Sequence, residues 1–394
     1  MRDAPLTCNH FGRCGGCSFL DVPIAEQLAT KRQRAHELLA PFLDGMPIEF
    51  TLPPHTPRHD RTSILYPVQL HQRALTLGIY RRDSHVIEPI EDCRIQHKAL
   101  TRLAVRAGEV MRALNLPVYN ETTHKGFVRA FRARVMPSTN ELLVGVVTTN
   151  LEFSERDRLG TELWRAASDL RDDQGRPLKL VGVVLNHNPE PGNVLLGPVT
   201  KVLRGDPYQT DAIGNGALRL RVSFTSFYQQ NRHADAILFR PALAMLGDVN
   251  GLRIVDGYGG VGAFALRLLH AGAQHATIVE SSPSACADAR HNLGANAFAL
   301  RSEVREQAFG SEPLPPSDLA VLDPPRAGLM ERGAAAVLAA APPRVLLVSC
   351  ALESLARDLA ALTSHYRVRA VRLCDLFPHT EHVEALTLLE RRAP

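Results

Sequence analysis

A doubly wound α/β sheet in the second half of the chain, preceded by an α+β region, is the fold class that this sequence predicts. Three observations carry that reading. Apolar strand-like runs alternate with helical stretches from about residue 250 onward, the pattern that builds a parallel sheet with helices on both faces. Asp256, Glu280, Asp323 and Cys350 each end one of those runs, and ligands of open parallel sheets bind at the carboxyl ends of the strands. Before about residue 220 the runs lack that alternation, and Pro191-Gly-Asn193 is a hairpin signal. The expected division is residues 1–218 and 219–394.

In chain order, Pro23 to Leu43 reads as an amphipathic helix, with Ile24, Leu28, Leu38, Leu39 and Phe42 set against Glu26, Lys31, Arg32 and Arg34. It is expected to pack on the second domain. A Pro/His-rich connector, Leu52-Pro-Pro-His-Thr-Pro-Arg-His59, follows. Strands are expected at 62–70, 75–80 and 86–90, a helix from His97 to Leu114, and strands at 127–135, 142–148, 178–185 and 193–196, with a helix near 154–168. Ala234 to Leu246 reads as a helix. Strands then end at Asp256, Glu280, Asp323 and Ser349, with helices starting at Gly262, Pro283, around Ala334 and at Leu352.

The chain has 394 residues, 45% hydrophobic and 22% charged, ordinary values for folded domains with large cores and outside the disordered or fibrous classes. No apolar stretch reaches the length of a bilayer, and Met1 to Cys8 has no signal-peptide apolar region. A cytoplasmic monomer with no membrane contact and no obligate protein partner is expected. The net charge is only +4, with the basic excess between about residues 95 and 220. Lys31, Lys98, Lys125, Lys179 and Lys201 are the only lysines; the remaining basic residues are arginines, which suit phosphate forks and base stacking.

Seven cysteines in a reducing compartment argue against disulfides. Cys8, Cys14 and Cys17 form C-x5-C-x2-C, interleaved with Gly12, Gly15 and Gly16, and Cys93 follows much later. The glycines leave room for turns around an inorganic centre and for N–H bonds to sulfur. Four thiolates suit zinc or an iron–sulfur cluster, and spacing alone leaves both open. Cys286 and Cys374 read as small apolar packing residues.

Asp256-Gly-Tyr-Gly-Gly-Val-Gly262 is a strand-to-helix glycine loop without the full G-x-G-x-x-G spacing of dinucleotide sites. Glu280, one strand on, stands where a carboxylate grips two ribose hydroxyls. Together they favour S-adenosylmethionine, with Tyr258 near its methionine or ribose part. In Asp323-Pro-Pro-Arg326 the prolines stiffen a loop that can hold Asp323 against a planar base. Arg326 stands where amine methyltransferases carry an aromatic residue. Cys350 supplies a nucleophile. A thiolate adding to C6 of uracil makes C5 enolate-like and able to take a methyl group, and a base must then remove the C5 proton. Glu384 is the expected base, with His379 and Glu381 as further candidates.

These residues resemble the RNA uracil-C5 methyltransferase family, the bacterial enzymes that make 5-methyluridine in 23S rRNA and in the tRNA T-loop. The resemblance runs from Cys8 to about Leu389. It rests on the cysteine quartet, Ser226-Phe-Tyr-Gln-Gln-Asn231, Asp256–Gly262, Glu280, Asp323–Arg326, Ser349-Cys350 with Leu355-Ala-Arg-Asp358, and Phe377–Glu384. It implies a Rossmann-like methyltransferase domain, preceded by an RNA-binding region that carries a [4Fe–4S] cluster on Cys8, Cys14, Cys17 and Cys93. It places Gln229 in the cofactor and uracil pocket and Asp323 against cofactor or base, with Cys350 and Glu384 acting as above. The chain begins almost at the cysteines, like the shorter rRNA enzymes without an N-terminal TRAM barrel, and most bacterial tRNA enzymes lack the cluster. The expected substrate is therefore 23S rRNA, with tRNA as the alternative. A non-catalytic RNA-binding iron–sulfur protein and a small-molecule methyltransferase are readings from other classes. The middle domain, with Arg129, Arg132 and Arg134 on one strand-like run, is the expected RNA surface, although alternation spreads the three unevenly over two faces. Two positions depart from the family pattern: Ala351-Leu352 replaces Asn-Pro after the cysteine, and Ala263 replaces Asn after the last loop glycine.

Overall fold

Residues 5–393 are described by the computed structural model. Helix α1 (Ile24–Leu43) forms as the spacing predicts, and Ala35, Leu39 and Leu43 are buried along one face. Strand β1 (Ile48–Thr51) follows it. The connector then leads into β2 (Ser63–His71), β3 (Ala74–Tyr80) and β4 (Ile87–Pro89). Gln72 and Arg73 take positive φ values of 49° and 65°, the conformation that joins two antiparallel strands by a two-residue turn. After α2 (Lys98–Ala113) come β5 (Val128–Val135), β6 (Glu141–Thr148), α3 (Arg156–Ala167), β7 (Lys179–His187) and β8 (Val199–Gly205). These strands make a seven-stranded sheet in the order β4-β3-β2-β5-β6-β7-β8. Only β6 and β7 pair in parallel, with α3 as the crossover. Helices α2 and α3 cover one face through Leu100, Leu103, Met111, Leu159 and Leu163.

The second half opens with a hairpin, β9 (Tyr208–Ile213) and β10 (Leu218–Ser223). A π-helical turn at Asp235–Phe239 runs into α4 (Arg240–Leu246). Then follow β11 (Arg253–Gly257), α5 (Ala263–His270), β12 (His275–Glu280), α6 (Pro283–Ala295), β13 (Ser302–Glu306) and β14 (Leu319–Leu322). The chain ends with α7 (Met330–Ala340), β15 (Arg344–Ser349), α8 (Leu352–Leu362), β16 (Tyr366–Cys374) and β17 (Glu384–Arg391). Eight strands assemble in the order β1-β16-β17-β15-β14-β11-β12-β13. Strand side chains alternate between two apolar layers. Val255, Ala320, Leu322 and Leu347 face α1, α7 and α8, whereas Ile254, Val321, Leu346 and Val348 face α4, α5 and α6. The sheet is wound on both faces as expected.

Three expectations need correction. The large sheet is mixed, because β17 runs antiparallel between β15 and β16. The run 193–196 is a loop, since the Asn188 side-chain amide binds the carbonyls of Val194 and Leu195 and Asn186 binds that of Gly197, replacing a ladder with side-chain bonds. Arg129, Arg132 and Arg134 are not a surface: all three are buried. Arg134 donates to Gln209 and to the carbonyls of Ser226, Val222 and Ser223. Arg129 donates to Asn188 and Gly192 carbonyls, and Arg132 lies over the Phe224 ring. A strand buried on both faces hides its arginines whatever their alternation. Cys286 and Cys374 are buried, as their apolar surroundings in the sequence implied.

Candidate active site

The carboxyl ends of β11, β12, β14 and β15 lie side by side, so Asp256, Glu280, Asp323 and Cys350 share one edge of the sheet. After β11 the backbone turns sharply: Tyr258, Gly260 and Gly262 have φ values of 57°, 54° and 84°. A left-handed tyrosine is strained, and such strain concentrates at functional sites. The Asp256 carboxylate holds the first turn of α5 by accepting from Ala265 N at 2.9 Å, while its other oxygen is buried without a partner. Burial, helped by the nearby Asp323 and Glu280 carboxylates, pushes Asp256 well above the usual carboxylate range. Glu280 accepts from Gly260 N at 3.0 Å and Ser282 N at 2.7 Å, tying the loop to β12. The side of Gly260 where a Cβ would stand is open. The Tyr258 ring instead packs on Phe309, with centroids 4.8 Å apart.

Strand register brings Cys350 and Glu384 to the same end of the β15–β17 pair. Ser349 pairs with Ala385 at the end of the β15–β17 ladder; Cys350 directly follows the one and Glu384 directly precedes the other, and the Glu384 charge acts on the Cys350 thiol. Glu384 is buried, and one of its oxygens has no hydrogen-bond partner. Burial and then the Asp323 carboxylate push Glu384 up to about 8, against the pull of the Arg326 guanidinium. Burial alone pushes Asp323 up to about 7. The Cys350 thiol rises to about 11 through burial and the Glu384 charge, opposed by Arg326. Cysteine, two carboxyls and one exposed arginine thus form a single electrostatic group.

Residues with no role assigned from the sequence hold this group in shape. Asp358 accepts from Leu329 N at 3.0 Å and lies so near Gly328 that an added Cβ would come within 2.6 Å of it. It therefore fixes the loop that carries Asp323 and Arg326; the segment around Asp358 was a signal, its role was not. His379 is not free to act as a base: it is buried, with Nδ1 at 3.3 Å from Gln27 Nε2 and Nε2 at 3.1 Å from the Pro57 carbonyl. Glu381 is exposed. Gln229 is buried and lines a cavity with Tyr228, Asn231, Asp235 and Arg267. Its segment is anchored by Ser226 to Asp288 at 2.7 Å and by Asn231 to the Leu376 carbonyl at 2.9 Å.

Cys8, Cys14, Cys17 and Cys93 line one cavity together with Phe11, Leu20, Ile79, Ile90 and Ile95. Gly15 lies so close to β3 that a Cβ would sit 2.7 Å from the Tyr80 carbonyl, and Gly16 N donates to the Cys14 sulfur at 3.3 Å. The four sulfurs are not gathered within 4.8 Å of one another, so the expected four-cysteine centre is not seen as a closed ligand set. Among the described residues, no helix is long and apolar enough to cross a membrane.

The family model described as tRNA (Uracil-5-)-methyltransferase matches residues 317–392, the stretch with Asp323, Cys350 and Glu384. An RNA methyltransferase of Halalkalibacterium halodurans is 30% identical over 394 residues, 97% of this chain and 82% of that protein. One from Listeria monocytogenes is 31% identical over 391 residues, with 97% and 83% covered. The crystal structure of Pyrococcus abyssi tRNA (uracil-54, C5)-methyltransferase in complex with S-adenosyl-L-homocysteine shares the fold. It has a TM-score of 0.74 at 23% identity, covering 96% of this chain and 86% of that one.

Proposed function

This chain belongs to the RNA uracil-C5 methyltransferase family, and we propose that it methylates C5 of one uridine in 23S rRNA, with S-adenosylmethionine as methyl donor. The observation that carries the reading is that Cys350 and Glu384 lie at the same end of the β15–β17 pair, within electrostatic reach of each other and of Asp323 and Arg326. The Cys350 thiolate adds to C6 of the flipped-out base. C5 takes the methyl group that S-adenosylmethionine supplies. Glu384 accepts the C5 proton; the electron pair restores the C5–C6 double bond as the C6–S bond breaks, and the thiolate returns. Arg326 offsets negative charge near the thiolate. The open face at Gly260, the unpartnered Asp256 oxygen and the Glu280 carboxylate fit the cofactor, and Tyr258 and Gln229 complete the proposed binding set.

We infer a [4Fe–4S] cluster in the cysteine cavity, as the resemblance of the cysteine quartet implies. Burial raises Cys14 to about 11 and Cys17 to about 12, so a bound cationic centre is needed to hold them as thiolates. Cys8, Cys14, Cys17 and Cys93 would be its ligands, and such a centre would lock the N-terminal loop against β3. The choice of rRNA rests on this cysteine set. A tRNA substrate is the second reading, favoured by the family model and by the P. abyssi structure.

Incubation with tritiated S-adenosylmethionine and unmodified 23S rRNA or tRNA, followed by nucleoside analysis, tests both. Label in 5-methyluridine from 23S rRNA, lost in Cys350→Ala, is the expected result. Label from tRNA alone selects the second reading. No label from protein with an intact cluster overturns the enzymatic role in favour of RNA binding without turnover.

A further inference from the structure

The Pro/His-rich connector Leu52–His59 has no part in the reaction above. It carries the chain from β1 of the eight-stranded sheet to β2 of the seven-stranded one. Asp60, just beyond it, is 4% exposed, and neither of its carboxylate oxygens has a hydrogen-bond partner. Nε2 of His55 lies 3.6 Å from Asp60 Oδ1, and Nε2 of His233 lies 3.5 Å from the same oxygen. His233 Nε2 is itself buried and unpartnered. The two imidazoles meet edge to face with centroids 4.3 Å apart.

A buried carboxylate without donors is costly unless a cation compensates it. Arg232 does so only in part. Its Nε is 3.8 Å from Asp60 Oδ1 and makes no hydrogen bond, and its Nη2 is engaged by the His59 carbonyl at 2.7 Å and Asp173 at 3.2 Å. The two histidine contacts are longer than the hydrogen-bond range of about 2.7–3.2 Å. They match ligands of one ion: zinc–nitrogen and zinc–oxygen bonds of about 2.0–2.2 Å at tetrahedral angles set neighbouring ligand atoms about 3.3–3.6 Å apart. One atom from each of the three residues lies within 4.8 Å of the other two.

We propose that His55, Asp60 and His233 bind one divalent transition-metal ion, zinc by its preference for two imidazoles and a carboxylate, with a fourth position open to water beside half-exposed His55. The ion joins the two places where the chain crosses between the sheets. Arg61 bridges to Asn231, and the Asp60 carbonyl accepts from Arg232 N at 2.9 Å. A metal at this junction fixes the outgoing connector to the returning segment. None of the four clustered cysteines takes part.

Cobalt(II) chloride is the probe, titrated into the full-length protein with its cysteine site intact and followed by zinc competition. The expected result is the visible d–d absorption of a nitrogen- and oxygen-ligated cobalt ion, without thiolate-to-cobalt charge transfer, bleached by zinc. Asp60→Asn and His233→Gln should each weaken binding by more than about 10-fold, since even outer partners of a ligand contribute about 10–100-fold. His55→Ala removes an exposed ring and leaves the fold intact, so loss of binding there reports the ligand and not unfolding. Absence of the visible bands, bands accompanied by thiolate charge transfer, or binding unchanged in His55→Ala and His233→Gln would overturn the proposal and leave an ion-free His–Asp–His cluster.

Discussion

Glu384 carries the sharpest residue-scale predictions. It sits in low dielectric beside another carboxyl, so its proton affinity is set for base chemistry near neutral pH. Glu384→Gln should lower turnover by about 10²–10⁴-fold, and because the proposed mechanism has Cys350 add before the proton is removed, a covalent protein–RNA adduct should accumulate. Denaturing gels with labelled RNA check this; no adduct in Glu384→Gln would assign the base elsewhere. In the proposed mechanism Cys350 and Glu384 both act deprotonated, and both are shifted upward, so the methylation rate should rise with pH through about 8. Stability moves the other way. Between the ordinary carboxyl value of 4.5 and about 8 the folded chain keeps a proton on Glu384 that the unfolded chain releases, so this group's contribution falls as pH rises. Glu384→Gln should therefore gain melting temperature over the wild type progressively from about pH 5 to about pH 8, measured by thermal denaturation in matched buffers.

At the scale of elements, α1 is fastened to the loop after β16. Lys31 donates to Asp375 at 2.6 Å and to the Phe377 carbonyl at 3.0 Å, and both charged side chains are 1% exposed. Removing one partner strands a buried charge, so Lys31→Met should cost about 3–5 kcal/mol in urea unfolding, and Lys31→Met with Asp375→Leu distinctly less. Arg134 tests the corrected reading of β5. Its guanidinium crosslinks β5 to Gln209 and the end of β10, so Arg134→Lys should lose more than about 2 kcal/mol of stability while the folded fraction keeps its RNA affinity. An arginine on an RNA surface would give the reverse result in filter binding. Helix α8 is preceded by Ala351 at its N-cap, which offers no side-chain cap. Ala351→Asn supplies a side-chain oxygen at that N-cap and should add about 0.5–2 kcal/mol by capping the first turn, again read from urea unfolding.

At the scale of the molecule, the chain returns on itself. β1 pairs with β16, and α1 lies against α8 in the same apolar layer. A fragment of residues 219–394 would lose both, leaving the β16 edge and one face of α8 open, a condition that invites edge-to-edge association. Such a fragment should be aggregated in size exclusion, whereas one beginning before α1 should not. A monodisperse, cooperatively melting 219–394 fragment would show that α1 and β1 are dispensable.

The one-dimensional pattern determined the strands whose ends form the candidate site. Asp256, Glu280, Asp323 and Cys350 were legible because each ends a buried apolar run, and strand ends in a wound sheet meet at one edge whatever the loops do. The cysteine spacing and its glycines were legible for the same local reason, down to the Gly16 N–H bond to sulfur. Pairing between distant strands was not. The antiparallel insertion of β17, which brings Glu384 to the end of β15 where Cys350 follows, depends on register between strands, and nothing in either segment alone encodes it. Burial of Arg129, Arg132 and Arg134 was decided by what covers the second face of β5, and the meeting of His55, Asp60 and His233 by chain crossings far apart in sequence. Local periodicity records which way a side chain points; what it meets there is a property of the packed whole.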